Sequence, residues 1–339
     1  MPNAATRPPA RLSILDQTPV IDGHKVADAI AATIELAQLA DDLGYTRYWC
    51  AEHHGLLGVA NPAPEVMIAR LASMTRRIRV GSGGVMLPYY SPFKVAEQFR
   101  MLEALFPGRI DLGVGRAPGG DMATARAVAA GRFDSDVFPQ QVADLVALFS
   151  GKLPPGHYAE NVVLQPTVDT SPQLWILGSS EFGGALACEL GIRFAFAHFI
   201  NAQFGDAVAR AYREQFQPGQ EKAPYCAVAL HVICADSERE ADDLASAVDL
   251  RRVQMAYGLN APIPTVAQGR AQQYSEREIA IIESQRPRSL IGTPAQVAER
   301  MLELQALFAA DEIVVLTVAA SYRARLRSYE LLAEAFELL

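Results

Sequence analysis

Strand-like runs alternate with stretches of helical periodicity along nearly the whole chain, and this alternation restricts the possible fold more than any other feature. Parallel neighbouring strands need a crossover between them, and a helix is the usual one, so the pattern reads as a parallel sheet covered by helices. Residues 12–15, 47–51, 78–85, 110–114, 174–177, 194–197, 225–234 and 312–317 read as strands. Helical spacing covers 26–43, 64–74, 92–106, 138–149, 182–190, 202–216 and 238–257, followed by helices opening at Pro294 and near Arg323. Gly44 stops the first of these, and Ser91-Pro92 supplies the N-cap and first-turn proline of another. Eight strands in one chain of 339 residues fit a (β/α)8 TIM barrel better than an open doubly wound sheet. The expectation is one domain over 1–339, with rim insertions at 151–170 and 258–290, the second of which could act as a lid.

Composition narrows the partner. A formal charge of -8, with both signs mixed along the chain, argues against nucleic acid or an anionic membrane and leaves a small molecule. Cys50, Cys188, Cys226 and Cys234 lack Cys-x-x-Cys spacing and fall in apolar stretches, so they read as reduced core thiols. The first ten residues have no apolar core segment, which argues against a secretory signal, and no apolar run is long enough to span a bilayer. The expected location is the cytoplasm.

Chemistry in such a barrel collects at the strand carboxyl ends, and three runs sit there. Glu52, His53 and His54 follow the second strand. Alternation sends one imidazole toward the barrel mouth, and His53 is the candidate general base, while His54 reads as a core histidine with Glu97 a candidate partner. Adjacent histidines on extended chain diverge, and the other four show no ligand spacing, so no metal is expected. The run 81–88 carries Gly81, Gly83 and Gly84 inside a strand, which marks either a bulge or bend or the close approach of a flat ring, with Met86 and Leu87 as apolar contacts to it. Gly113-Val114-Gly115-Arg116 half-matches a dinucleotide fingerprint, and Arg116 is placed either for a phosphate or for a surface ion pair.

A fourth run, Gly178-Ser179-Ser180-Glu181-Phe182-Gly183-Gly184, follows the fifth strand and opens a helix. Its N–H groups and hydroxyls make an anion site, although ordinary serine capping accounts for the same residues. Two glycines inside a helix are unfavourable and tip the reading toward a phosphate.

Taken in order, Trp49-Cys50-Ala51-Glu52-His53-His54, the run 81–88 with Ser91-Pro92 and Ala96-Glu97-Gln98, Pro107-Gly108-Arg109 leading to Gly115-Arg116-Ala117-Pro118, Trp175 to Ser180, and Gly292-Thr293-Pro294 resemble the bacterial luciferase-like flavin monooxygenases, and most closely their single-chain alkanal monooxygenase-like oxidoreductases. The resemblance implies a barrel holding FMN, or in some branches a deazaflavin, at the strand carboxyl ends. It implies that Ser179 and Ser180, with the backbone of Gly178 and Gly183, hold the phosphate, that Arg116 neutralises it, and that His53 is the base. It also implies a non-proline cis peptide at Gly83–Gly84 beside the flavin ring, with Met86 next to it. The implied reaction oxygenates a small organic substrate with reduced FMN and dioxygen, the flavin coming from a separate reductase, in a homodimer built on the second and third helices. A deazaflavin-dependent hydride transfer and a flavin-binding protein without turnover are the alternatives. Gly115 departs from luciferase, which has a reactive cysteine there, so neither light emission nor a long-chain aldehyde substrate is implied.

Overall fold

The computed structural model describes residues 10–118 and 120–338. The proline-bearing start over 1–9, on which the signal-peptide expectation rested, lies outside them, as does Gly119. The strands are β1 (Arg11–Asp16), β2 (Arg47–Cys50), β3 (Arg79–Met86), β4 (Ile110–Gly115), β5 (Gln173–Gly178), β6 (Arg193–Ala197), β7 (Cys226–Cys234), β8 (Ser289–Gly292) and β9 (Glu312–Leu316). The helices are α1 (Val26–Asp42), α2 (Pro64–Met74), α3 (Pro92–Leu105), α4 (Met122–Val128), α5 (Phe138–Ser150), α6 (Glu181–Leu190), α7 (Gly205–Gln215), α8 (Glu238–Ala256), α9 (Val266–Ala271), α10 (Glu276–Gln285), α11 (Pro294–Leu307) and α12 (Tyr322–Ala335). Strands β1 to β7 and β9 pair in parallel and close, β9 bonding to both β7 and β1, which makes a (β/α)8 TIM barrel.

The helices bury one stripe each. In α1 the buried positions Ala29, Ala32, Thr33, Leu36, Ala37 and Ala40 recur every three or four residues, as an amphipathic helix on a sheet requires. Strands such as β7 and β9 are buried at every position, because one face meets the helices and the other the barrel interior.

The sequence reading misses one strand. β8 pairs only with the far end of β7, from His231↔Ser289 to Cys234↔Gly292, where β7 has run past its last partner on β9, Leu316. Four residues, Ser-Leu-Ile-Gly, are too few to show an alternating pattern. The rest of 258–290, expected as an insertion or lid, has helices of its own. It forms α9 and α10, and α9 packs so tightly on α8 that a Cβ on Gly269 would stand 2.5 Å from the Ser246 backbone. The short helix α4 is likewise unexpected, and α7 starts three residues later than its sequence spacing predicts. The 151–170 segment contains neither helix nor strand, as its prolines lead one to expect.

The barrel interior is layered. At the amino-terminal end, the Arg47 guanidinium bridges Asp111 (2.6 Å) and Glu312 (2.6 Å), Arg79 also pairs with Asp111, and Tyr225 donates to Glu312 (2.8 Å). Arg47, Asp111 and Glu312 are almost fully buried, so each charge needs the others, and removing one would leave an unpaired ion in the interior. Above them Trp49 and Trp175 meet edge to face at 4.9 Å, the indole N–H of Trp49 donating to Asp111 (3.0 Å). Above the indoles Ala51, Ala195, Ala197 and Ala229 enter the lining among larger apolar groups such as Leu15, Leu177 and Val314, and these small side chains leave open space at the carboxyl-terminal end.

Candidate active site

That space is a cavity of about 280 Å³. Its walls include Leu15 and Gln17 from β1, Glu52 and His53 after β2, Gly83, Gly84 and Met86 on β3, Gly115 and Arg116 at the end of β4, and Gly178, Ser179, Ser180, Phe182 and Gly183 where β5 passes into α6. His53, Gly83, Gly84, Met86, Arg116, Gly178, Ser179, Ser180 and Gly183, expected from the sequence to act as base or hold the cofactor, therefore all border one cavity.

β3 makes the first wall. Its register against β4 shifts between Ser82 and Val85, so one extra residue is accommodated and the glycine run is a bulge as well as a bare surface. The Gly83–Gly84 peptide is cis, as the family resemblance implies. A Cβ on Gly84 would sit 2.7 Å from the Gly113 carbonyl oxygen, so only glycine lets β3 approach β4 this closely. On β4, a Cβ on Gly115 would meet nothing within 4 Å, which shows that the room lies on the cavity side. Of the two apolar side chains expected beside a ring, Met86 lines the cavity, but Leu87 is fully buried in the core between barrel and helices.

β2 leads into the candidate base. Because the strand ends at Cys50, the chain is free to turn, and both Glu52 and His53 reach the cavity. The His53 Nδ1 is buried and has no partner among the described residues. Burial lowers its pKa to about 4, outweighing the opposite effect of nearby Glu52, so the ring is neutral at pH 7 and has a free nitrogen. His54 points away, as expected, but its partner is not Glu97. Its Nε2 lies 2.7 Å from Glu52 Oε1, while Glu97 pairs with Lys94 (3.1 Å) on the surface of α3.

The β5–α6 junction makes the third wall. Ser180 occupies the N-cap in extended conformation, yet no side chain caps α6, so the capping explanation of the serines does not hold and the first-turn N–H groups are left for another acceptor. The Arg116 guanidinium lies 4.2 Å over the Phe182 ring in that same first turn and makes no ion pair among the described residues, which removes the surface ion-pair reading. The glycine pair divides. Gly183 lines the cavity, whereas Gly184 faces α7, where a Cβ would come within 2.7 Å of Val208, so helix packing accounts for it.

Sequence reasoning assigned no role to Gln17, Phe138, Phe199 or Ile200, which also line the cavity. Gln17 directly follows β1, and the strand-end rule that found His53 applies equally to it. The other three depend on how α5 and the turn after β6 come back over the barrel, which no local pattern encodes.

Among the described residues no cluster of three or more His, Cys, Asp or Glu is arranged to hold a metal, no helix is long and apolar enough to cross a membrane, and all four cysteines are buried and free.

Comparison with known proteins identifies the family. The sequence model of the luciferase-like monooxygenases matches residues 11–311. A luciferase-like monooxygenase of Escherichia coli K12 is 38% identical, over 94% of this chain and 95% of its own length. The N-acetyl-S-alkylcysteine monooxygenase of Bacillus subtilis 168 is 36% identical, over 96% of this chain and 98% of its own. The crystal structure of apo-MsnO8 superposes with a TM-score of 0.88 at 36% identity, covering 97% of this chain and 99% of that one. With its barrel fold and nearly its full length matched, this chain belongs to the luciferase-like monooxygenase family.

Proposed function

We propose that the protein is a flavin-dependent monooxygenase that uses reduced FMN and dioxygen to oxygenate a small organic substrate in the strand-end cavity. One observation carries the reading: a bare glycine wall, a neutral histidine and an arginine that lack partners among the described residues, and a helix N-terminus with no side-chain cap all border the same space. These features fit a flat ring carrying a phosphate. Ser179, Ser180 and the N–H groups of the first turn of α6 would hold the phosphate, and Arg116 would offset its charge. Gly83, Gly84 and Gly115 would lie against the ring, with Met86 at its edge.

The bound flavin supplies the redox chemistry, and the chain orients it and keeps water away. Leu15, Ile176, Leu177, Phe199 and Val314 exclude water from the inner part of the cavity. His53, neutral at working pH, accepts a proton at its free nitrogen or orients the oxygen being transferred. The substrate is a small organic molecule, in keeping with the cavity's size and with the name of the Bacillus relative. Reduced FMN comes from a separate reductase, a reading carried by family membership. A second copy of the chain would cover α2 and α3, where Val66, Met101 and Leu105 stand exposed beside one another around a groove.

A fluorescence-quenching titration with FMN, in competition with a deazaflavin, tests the reading. Saturable binding that favours FMN, followed by substrate-dependent oxygen uptake with reduced FMN, is the expected result. Absence of binding to either flavin refutes it, preference for deazaflavin turns it to hydride transfer, and reoxidation of bound reduced FMN at the rate of free flavin leaves a binding protein without turnover.

A further inference from the structure

Glu52 lines the cavity, is 1% exposed and has no lysine or arginine partner among the described residues. Its charge is met by three contacts from different places. Tyr90, just beyond β3, donates its hydroxyl to Oε1 at 2.6 Å, His54 Nε2 stands 2.7 Å from the same oxygen, and the Met86 backbone N–H donates to Oε2 at 3.0 Å. One carboxylate thus joins the segment carrying His53 to the end of β3, two residues past the Gly83–Gly84 wall. Tyr90 is itself held from the other side, since its carbonyl accepts from Gln141 on α5 (3.0 Å). Bonds to an ionised acceptor are short and directional, and in a buried site they define a position rather than a range of positions.

We propose that Glu52 is a positioning residue: it fixes the end of β2 to the end of β3 and so sets the separation between His53 and the glycine wall against which a flavin ring would lie. The proposal rests on the reading of the cavity as a flavin site. It assigns Tyr90, which does not line the cavity, a measurable influence on flavin binding through Glu52.

The test compares the full-length protein with Glu52→Ala, Glu52→Gln and Tyr90→Phe, measuring oxidised FMN affinity by fluorescence quenching, the visible circular dichroism of the bound flavin, and the melting temperature without flavin. Glu52→Ala weakens FMN binding by about tenfold or more, the size expected when a charge-assisted hydrogen bond is lost and its donors stay buried. Glu52→Gln keeps an oxygen for the Met86 N–H and stays within about threefold of wild type. Tyr90→Phe changes the flavin's circular dichroism and lowers affinity by several-fold, with the cavity lining intact. Should Glu52→Ala and Tyr90→Phe lower the melting temperature yet bind FMN with wild-type affinity and spectrum, Glu52 serves the fold alone and the proposal is overturned. If Glu52→Ala does not fold, Tyr90→Phe decides by the same two readouts. A wild-type protein that binds no flavin overturns the flavin reading itself, and this inference with it, whereas wild-type binding with unaltered variants overturns only the inference.

Discussion

His53 shows how far a single residue can be read before its surroundings are known. Its place after a strand fixes it at the barrel mouth, and the structure adds that it is buried, neutral and lacks a partner at Nδ1 among the described residues. His53→Ala is expected to leave FMN affinity within a few-fold of wild type while slowing substrate oxygenation by about 10²–10⁴-fold, the usual contribution of a general base. Parallel titrations and oxygen-uptake rates check this, and loss of FMN binding instead would make the residue structural. The same burial has a consequence for pH. Burial holds His53 neutral down to about pH 4 and His231 to about pH 3, and it lowers His198 in the same direction. The unfolded chain binds protons on these rings from near the ordinary value of 6.5 downward while the native protein does not, so stability present above that value is lost as pH falls toward 4. Melting temperatures measured between pH 7 and 4 should therefore fall, and His53→Gln should make the slope shallower; equal slopes would show that His53 is not held neutral. The partner of His54 was not legible in this way. Glu52 and Glu97 are both nearby carboxylates, and choosing between them depends on which way the chain turns after Cys50, a matter of tertiary packing rather than of spacing.

At the scale of single elements, β3 and α6 show that glycines of similar appearance in sequence do different work. Gly84 on β3 and Gly115 on β4 line the same wall, but of the two only Gly84 lacks room for a side chain, since the Gly113 backbone occupies it. Gly84→Ala should destabilise the fold, because the β4 backbone it would meet cannot move aside, by about 1–3 kcal/mol, the usual cost of overpacking. Gly115→Ala should melt like wild type yet weaken FMN binding, because its methyl group would project into the cavity. Thermal melts and FMN titrations of the pair separate the two effects, and a Gly115→Ala protein that binds FMN normally would place the ring elsewhere. In α6 the glycine pair was read as one signal and proves to be two, with Gly183 at the cavity and Gly184 against α7. Helix periodicity reveals that a residue faces inward, but not whether it meets a ligand or another helix. β8 marks the same limit for strands: its four residues gain strand character only from the overrun of β7 beside them.

Over the whole molecule, the alternation of strand and helix was enough to order the barrel, because each parallel pair demands a crossover and closure leaves no exposed edges. The cavity was not legible at this scale, since it arises from the drop in side-chain size between the Trp49 and Trp175 layer and the alanines above, contributed by strands far apart in sequence. The outer surface raises the remaining question of what covers α2 and α3. Val66 is 66% exposed, Met101 52% and Leu105 58%, and a groove between the two helices joins them, whereas apolar groups exposed together on this scale in soluble proteins usually mark an interface. The groove's rim carries Glu65 and the Lys94–Glu97 pair, a polar border of the kind interfaces have around an apolar centre. A light-scattering mass of twice the chain's 36.7 kDa is expected for the wild type. Met101→Glu with Leu105→Glu would bring like charges to the middle of that contact and should give the monomer mass, with FMN affinity retained because the cavity lies at the end of the barrel and none of these residues lines it. A double variant that remains a dimer would move the interface to another face, and a wild type with the monomer mass would leave α2 and α3 free to receive a different protein.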